Sequence, residues 1–259
     1  MAAFNSPPRV NVLGVGISVL NLDSAVETLA SALASGQRGY VTITGVHGVI
    51  ESQNDPELRR IHNTSLLSTP DGMPLVWMGK LAGHRSMDRV YGPDLMERLM
   101  TWSQTSGATH YFYGGAPGVA EELKVKLEDR FPGIRIVGTS TPPFRPLTPE
   151  ELVRLSAEVA ELQPDFFWVG LSTPKQERFM AAHQGLLDAK IMVGVGAAFD
   201  FHSGRIAQAP RWIQRSGFEW LFRLSKDFKR LWPRYSRIVP LFLFKAAGQL
   251  SGLRRYSLE

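Results

Sequence analysis

Apolar positions along this chain fall into two alternating spacings. Short runs that are mostly apolar, β-branched or aromatic recur at Arg9–Val15, Tyr40–Thr44, Thr109–Tyr113, Ile134–Val137, Asp165–Val169 and Ile191–Val195. Runs of that length, bounded by glycine or polar residues, read as strands. Between them, at Leu22–Leu33, Gly118–Phe131, Pro149–Leu162 and Pro174–Leu186, apolar residues recur at the spacing of one helix face. Strands alternating with helices predict an α/β fold: a mostly parallel sheet with helices on both faces. Several predicted strands end at or beside a glycine, namely Gly45, Gly114, Gly115, Gly170, Gly194 and Gly196. Open α/β sheets take ligands outside the carboxyl ends of their strands. The glycines therefore mark where a site is expected.

After Gly204 the pattern changes to Arg, Trp and Phe without strand alternation. Two or three helices are predicted there, at Ala209–Ser216, Phe218–Arg234 and roughly Ile238–Leu250. The proline-rich stretch Thr141–Pro149 reads as a loop within one domain. This divides the chain into a body, residues 1–204, and a helical carboxyl-terminal appendage, residues 205–259.

Charge sharpens that division. Residues 200–259 carry twelve Lys/Arg against four acids, a net +8, while residues 1–199 stand at −3. A basic tail on a near-neutral body points to an anionic partner: nucleic acid, a phosphorylated ligand or a membrane surface. At 259 residues and 44% hydrophobic the chain can bury a real core, which excludes wholesale disorder. The absence of cysteine excludes a disulfide scaffold, thiolate metal sites and cysteine catalysis, and suits a reducing compartment. The first residues show no basic stretch followed by an apolar run, so no secretory leader is expected. The longest apolar run near the tail, Ile238–Phe244, is broken by Pro240 and closed by Lys245, far short of the about 20 residues a spanning helix needs.

Five segments carry candidate chemistry. In Thr109–Gly118, Gly114 and Gly115 form either a tight strand-to-helix turn or a place where backbone approaches phosphate. The nucleotide fingerprint Gly-x-Gly-x-x-Gly and the P-loop Lys-Ser/Thr are both absent. In Thr69–Pro74, Asp71 sits in a Pro-Asp-Gly turn signal. It is either a surface turn or a carboxylate at a strand end, placed to act as general base. In Ser172–Glu177, Thr173 and Pro174 predict a capped helix start; the segment is either only that or also places Gln176 as a polar contact in the cleft. In Gly194–Gly204, Asp200 either accepts hydrogen bonds from a ligand or pairs with a nearby arginine. No third ligand accompanies Asp200 and His202 at usual metal spacing, so a zinc site is not expected; separately, no cofactor is expected. In Glu219–Tyr235, Arg223, Lys226 and Arg230 form one basic stripe beside an apolar one. That helix either packs on the core with a solvated basic face or clamps phosphate near a membrane. No helix-turn-helix or RNP-like motif accompanies the charge, so nucleic acid ranks last as a partner.

Taken in order, these pieces resemble the WecG/TagA/CpsF family of bacterial glycosyltransferases. They are Asn54–Leu58, Pro70–Trp77, Arg89–Asp94, Tyr113–Gly115, Pro174–Glu177, Val193–Asp200, Ala209–Trp212 and Glu219–Leu224. No single piece is specific; the ordered set is. The resemblance implies a Rossmann-like body with a helical appendage. It implies inverting, metal-independent transfer of a sugar from a UDP-sugar to a polyprenyl-diphosphate-linked saccharide, in the synthesis of a bacterial surface or extracellular polysaccharide. The implied location is the inner face of the cytoplasmic membrane, with peripheral attachment. Oligomeric state is left open, a homo-oligomer included.

Carried residue by residue, the resemblance makes Asp71 the general base, Arg89 a substrate contact and Gln176 a polar residue of the same pocket. It puts Gly114, Gly115, Gly194, Gly196 and Asp200 at the UDP moiety, and Arg223, Arg230 and Arg234 at diphosphate charge. One departure stands out. The family usually has Thr-x-Asn after the second strand; here Thr42 keeps the threonine and Thr44 stands where the asparagine is expected. The lost contacts would fall to the Thr44 hydroxyl or to His47. That departure keeps an alternative in play: a catalytically idle nucleotide-sugar-binding partner of a membrane polysaccharide assembly.

Overall fold

The computed structural model describes residues 4–258. Residues 1–3, the start of the stretch read as carrying no leader, and Glu259, one of the four tail acids, lie outside the described residues. The chain opens with β1 (Arg9–Val12) and β2 (Val15–Ser18), followed by α1 (Leu22–Ala34). Then come β3 (Gly39–Thr44), α2 (Val46–Glu51), α3 (Pro56–Thr64), β4 (Leu67–Pro70), α4 (Met73–Leu81) and α5 (Gly92–Ser106). The next units are β5 (Thr109–Gly114), α6 (Val119–Arg130), β6 (Arg135–Ser140), α7 (Pro149–Leu162), β7 (Phe166–Gly170) and α8 (Lys175–His183). The last are β8 (Ile191–Gly194), α9 (Ala198–His202), α10 (Arg211–Arg215), α11 (Glu219–Lys226) and α12 (Phe228–Leu250).

Six strands form one parallel sheet in the order β4-β3-β8-β7-β5-β6. Alternate residues of β7 explain why it is covered twice. Phe166 and Trp168 enter one core with Leu29 of α1, Leu99 of α5 and Leu123 of α6. Phe167 and Val169 enter the other with Val159 of α7 and Met180 of α8. A strand buried on both faces must be apolar at successive positions, and Phe166–Val169 is. The mostly parallel α/β architecture with helices on both faces is as the pattern predicted.

Three local expectations change. Arg9–Val15 is not one strand of the main sheet but a separate antiparallel hairpin, β1–β2. Its two turn residues, Leu13 and Gly14, have φ of 53° and 86°. Positive φ at both positions gives the turn whose twist suits a two-residue hairpin. The predicted helix Phe218–Arg234 breaks at Asp227, while α12 runs unbroken through Pro233 and Pro240. Leu231, Ile238, Phe242 and Ala246 are buried along its inner side, and the last three join the core that holds the hairpin and α2. That packing outweighs the hydrogen bonds two prolines remove. Finally, β4 and α2–α5 escaped the reading: the four buried residues of β4 include Ser68 and Thr69, which hide its burial in the sequence.

The tail closes back on the start of the chain. Gln249 accepts from the Leu13 N–H at 2.9 Å and donates to the Asn11 carbonyl at 2.8 Å. Asn11 donates to the Tyr256 carbonyl at 2.6 Å. Among the described residues, no helix is long and apolar enough to cross a membrane.

Candidate active site

A crevice of about 520 Å³ opens at the carboxyl ends of β4, β3, β8 and β7. That is where an open α/β sheet is expected to bind a ligand. Phe222 and Arg223 of α11 and Arg230, Leu231 and Arg234 of α12 wall its other side, so the appendage completes the crevice.

Asp71 follows the last residue of β4. Its N–H donates to the Thr44 carbonyl at 2.9 Å, and the Pro70 carbonyl accepts from Val90 N–H at 2.9 Å. Gly72 then takes φ of 100°, a conformation side chains disfavour, and α4 begins. The carboxylate is thus fixed between a strand end and a helix start. It keeps 28% of its side-chain surface open. Desolvation by the crevice walls raises its pKa above the ordinary 3.8; Arg89 and Arg223 oppose this, and Glu219 adds to it.

Beside Asp71, five side chains form one network. Arg89 Nη2 lies 3.3 Å from Asp71 Oδ1 and 2.6 Å from Glu219 Oε2, and Nη1 donates to Gln214 Oε1 at 3.2 Å. The Arg89 guanidinium sits 4.1 Å from the centroid of the Tyr91 ring. Arg223 Nε donates to Glu219 Oε1 at 2.9 Å, and Nη2 donates to the Tyr91 hydroxyl at 3.0 Å. Burial alone would weaken the charge of Arg89, but Asp71 and Glu219 outweigh it and hold its pKa above the ordinary value. For Arg223 the same balance is tipped upward by Tyr91, Glu219 and Asp71. The appendage is therefore tied to the body twice, by Glu219 through Arg89 and by Arg223 through Tyr91.

Across the crevice, Gln176 is buried and its Nε2 donates to Glu177 Oε1 at 3.1 Å. That bond leaves Gln176 Oε1 buried, unpartnered and on the crevice wall. Glu177 is fully buried, and Thr173 also donates to its Oε1, at 2.8 Å. Thr173 is thus not the helix cap expected: α8 starts at Lys175 after a cis Thr173–Pro174 bond, with no side-chain cap. Desolvation raises the pKa of Glu177 against these donors.

His47, Gly196, Arg230 and Arg234 also line the crevice. The pKa of His47 is lowered by burial and further by Arg234, with Glu51 opposing. Arg230 pairs with Asp227, whereas Arg234 makes no ion pair among the described residues. The structure thus brings Asp71, Gln176, His47, Gly196, Arg223, Arg230 and Arg234 to one cavity, with Arg89 hydrogen-bonded behind Asp71.

The remaining candidates lie elsewhere. Thr44 Oγ1 turns inward to Ser68 Oγ at 2.8 Å, Thr42 Oγ1 at 2.9 Å and His62 Nδ1 at 3.2 Å. Neither Thr42 nor Thr44 lines the crevice, so the departure at Thr44 leaves His47 as the nearby polar group there. Gly114 ends β5 and Gly115 follows it, both outside the crevice lining. A Cβ on Gly114 would stand 2.6 Å from the Gly170 carbonyl oxygen, so this glycine serves the close packing of β5 on β7. Gly194 lies beneath Gln176 and Met180. Asp200 sits on α9 outside the lining, its pKa raised by burial with Arg205 opposing.

The glycosyl transferase WecG/TagA/CpsF family model matches residues 10–256. The chain belongs to this family. Two relatives share its sequence, each named N-acetylglucosaminyldiphosphoundecaprenol N-acetyl-beta-D-mannosaminyltransferase. The protein of Bacillus spizizenii is 28% identical over 214 residues, covering 82% of this chain and 81% of that protein. The protein of Bacillus subtilis is 29% identical over 175 residues, covering 66% of each. The chain is a glycosyltransferase.

Glycosyl transfer needs a group to take the acceptor's proton and positive charge to meet the leaving group. Of the two carboxylates lining the crevice, Asp227 is engaged by Arg230 on the appendage, while Asp71 stands at the sheet edge. Sequence reasoning missed three members of this candidate site. Tyr91 lay inside the Arg89–Asp94 motif without a role, and Glu177 lay beside Gln176. Glu219 stood four residues before Arg223, the spacing of a helical ion pair, and that signal was available.

Proposed function

We propose that this enzyme transfers an N-acetylmannosaminyl group from its UDP-sugar to N-acetylglucosamine carried on a polyprenyl diphosphate, with inversion and without a metal ion. The donor sugar and acceptor follow the names of the two relatives. The observation that carries the reading is Asp71, a partly open carboxylate on the crevice floor with a pKa raised by desolvation, facing appendage arginines. In this reading residues 1–204 are the catalytic body and residues 205–259 the appendage that closes over the substrates.

Asp71 takes the proton of the acceptor hydroxyl as that oxygen attacks the anomeric carbon. The bond from the anomeric carbon to the UDP oxygen breaks, and the electron pair leaves with UDP. Arg223, Arg230 and Arg234 offset the diphosphate charge, a task arginine suits because its charge persists and its fork matches phosphate oxygens. Gln176 offers its free carbonyl oxygen to a hydroxyl or amide N–H of the sugar. His47, held neutral, completes the same pocket. The acceptor's lipid puts the enzyme at the inner face of the cytoplasmic membrane, attached peripherally.

The test is UDP release from a panel of UDP-sugars with a lipid-linked N-acetylglucosamine acceptor. Release with UDP-N-acetylmannosamine, unchanged by a chelator, is expected. UDP binding without transfer from any donor overturns the reading in favour of an idle binding partner.

A further inference from the structure

A second cavity, also about 520 Å³, lies behind Arg89, between the ends of α1 and α4, the side of α5 and α10. Six cations and four acids line it. Two of the acids are engaged: Asp23 pairs with Arg98, and Glu97 pairs with Arg130. Four of the cations, Lys80, Arg85, Arg211 and Arg215, make no ion pair or side-chain hydrogen bond among the described residues. They come from three separate segments, so their convergence is a product of the fold. Asp88 and Asp94 also line the cavity, and Asp94 feels the charge of Arg89 and Arg211. Six cations against four acids still leave a net positive cavity that an added anion would offset.

The elements that carry these cations also expose large apolar side chains. On α4, Trp77 and Leu81 flank Lys80, with Leu81 71% exposed. On α10, Trp212 lies between Arg211 and Arg215 and is 74% exposed. Phe218, just beyond α10, is also exposed. The Trp77 ring lies against Gly217, so these groups belong to one contiguous region rather than to opposite sides of the molecule. Exposed aromatics beside unpaired cations are the composition of a surface that meets anionic lipid headgroups.

We propose that this cavity and its apolar rim are the face on which the enzyme docks to an anionic membrane. Lys80, Arg85, Arg211 and Arg215 hold phospholipid phosphates, and Trp77, Leu81, Trp212 and Phe218 enter the boundary between headgroups and acyl chains. The charge complementarity selects lipid over an uncharged partner, and the apolar rim selects a bilayer over free phosphate. Arg89 lines this cavity with one side and holds Asp71 with the other, so the docked face backs directly onto the reaction crevice. The purpose of docking rests on the lipid-linked acceptor proposed above; the binding itself does not.

The experiment is co-sedimentation of the full chain, without substrates, with two kinds of vesicle. One is equal parts phosphatidylcholine and phosphatidylglycerol, the other phosphatidylcholine alone. Binding to the anionic vesicles and little to the neutral ones is expected. Each cation near a membrane surface contributes about fivefold in binding, so Arg211→Gln with Arg215→Gln should weaken it about 25-fold. The same charge change at Lys229 and Arg237, exposed residues of α12 that line neither cavity, should cost clearly less. Trp212→Ala should also weaken vesicle binding. Thermal melting of each variant checks that it folds. Equal loss in both double variants reduces the effect to net charge and overturns the proposal, as does equal binding to neutral vesicles. Inorganic pyrophosphate binding that Arg211→Gln with Arg215→Gln abolishes, with vesicle binding unchanged, overturns it in favour of a soluble phosphate ligand. If the unaltered chain fails to bind anionic vesicles while its UDP release persists, the docking face is removed and the proposed reaction stands; vesicle binding without UDP release does the opposite.

Discussion

Asp71 owes its environment to the residues around it more than to its own turn. The crevice walls withhold water and raise its pKa, while Arg89 keeps the carboxylate oriented. Asp71→Asn preserves the shape but removes the proposed proton acceptor. We expect an unchanged circular dichroism spectrum and a loss of kcat/KM of roughly 10²–10⁴-fold. A pH profile checks the same residue. In the proposed mechanism the ionised form is the active one, so kcat/KM should fall as pH drops through the raised Asp71 pKa. The acid limb should lie above the ordinary 3.8; a limb at or below that value contradicts the assignment. His62 makes a second pH-dependent prediction, this one about stability. Its burial lowers its pKa from 6.5 to about 4, and Arg9 contributes. The unfolded imidazole takes a proton below about 6.5, while the folded one does not until about 4. Stability should therefore fall as pH drops through that window, by about 3 kcal/mol in all for this residue. In His62→Asn the slope of melting temperature against pH should be shallower.

Between elements, the decisive contacts join the two ends of the chain. The β1–β2 hairpin is too small to be stable alone. It gains Ile238, Phe242 and Ala246 from α12, and Gln249 bonds its turn. The Pro240–Lys245 segment is therefore only partly available to lipid: Leu243 and Phe244 are exposed, but Phe242 is core. Removing residues 236–259 would strip the hairpin of its cover and perturb the fold along with any membrane contact. Phe242→Ala should lower unfolding free energy by about 3–5 kcal/mol in urea titration, the cost of an aromatic cavity in a packed core. A loss below 1 kcal/mol would mean that α12 is not part of this core.

On the scale of the molecule, the appendage has two charged faces, for which different tasks are proposed. Arg223, Arg230 and Arg234 look into the reaction crevice, and Arg211 and Arg215 look into the second cavity. Arg230 and Arg234 are exposed, so they contribute to ligand charge rather than to the core. Replacing both with glutamine should leave the melting temperature within about 2 °C and weaken UDP affinity roughly tenfold or more, since hydrogen bonds to charged groups are worth about 1.5–3 kcal/mol each. Calorimetry at two salt concentrations checks this: the difference between wild type and variant should narrow at high salt, because exposed charges are screened.

The sequence by itself determined the parallel α/β sheet, because strands covered on both faces must be apolar at successive positions, as in Phe166–Val169. It also marked Asp71, through a turn signal beside glycine, and the basic tail, through charge that survives any fold. Periodicity reports which side of an element is buried, but not which distant side chain meets it there. The tertiary structure decided those meetings. The pairing of Thr44 with Pro70 sets Asp71 at the crevice, and the return of α11 brings Glu219 to Arg89 across 130 residues. The close approach of β5 and β7 takes Gly114 for packing, and Ser68, Thr42 and His62 take the hydroxyl of Thr44. Each of these depends on register and on how far the chain travels before it returns, and a local pattern of residues carries neither.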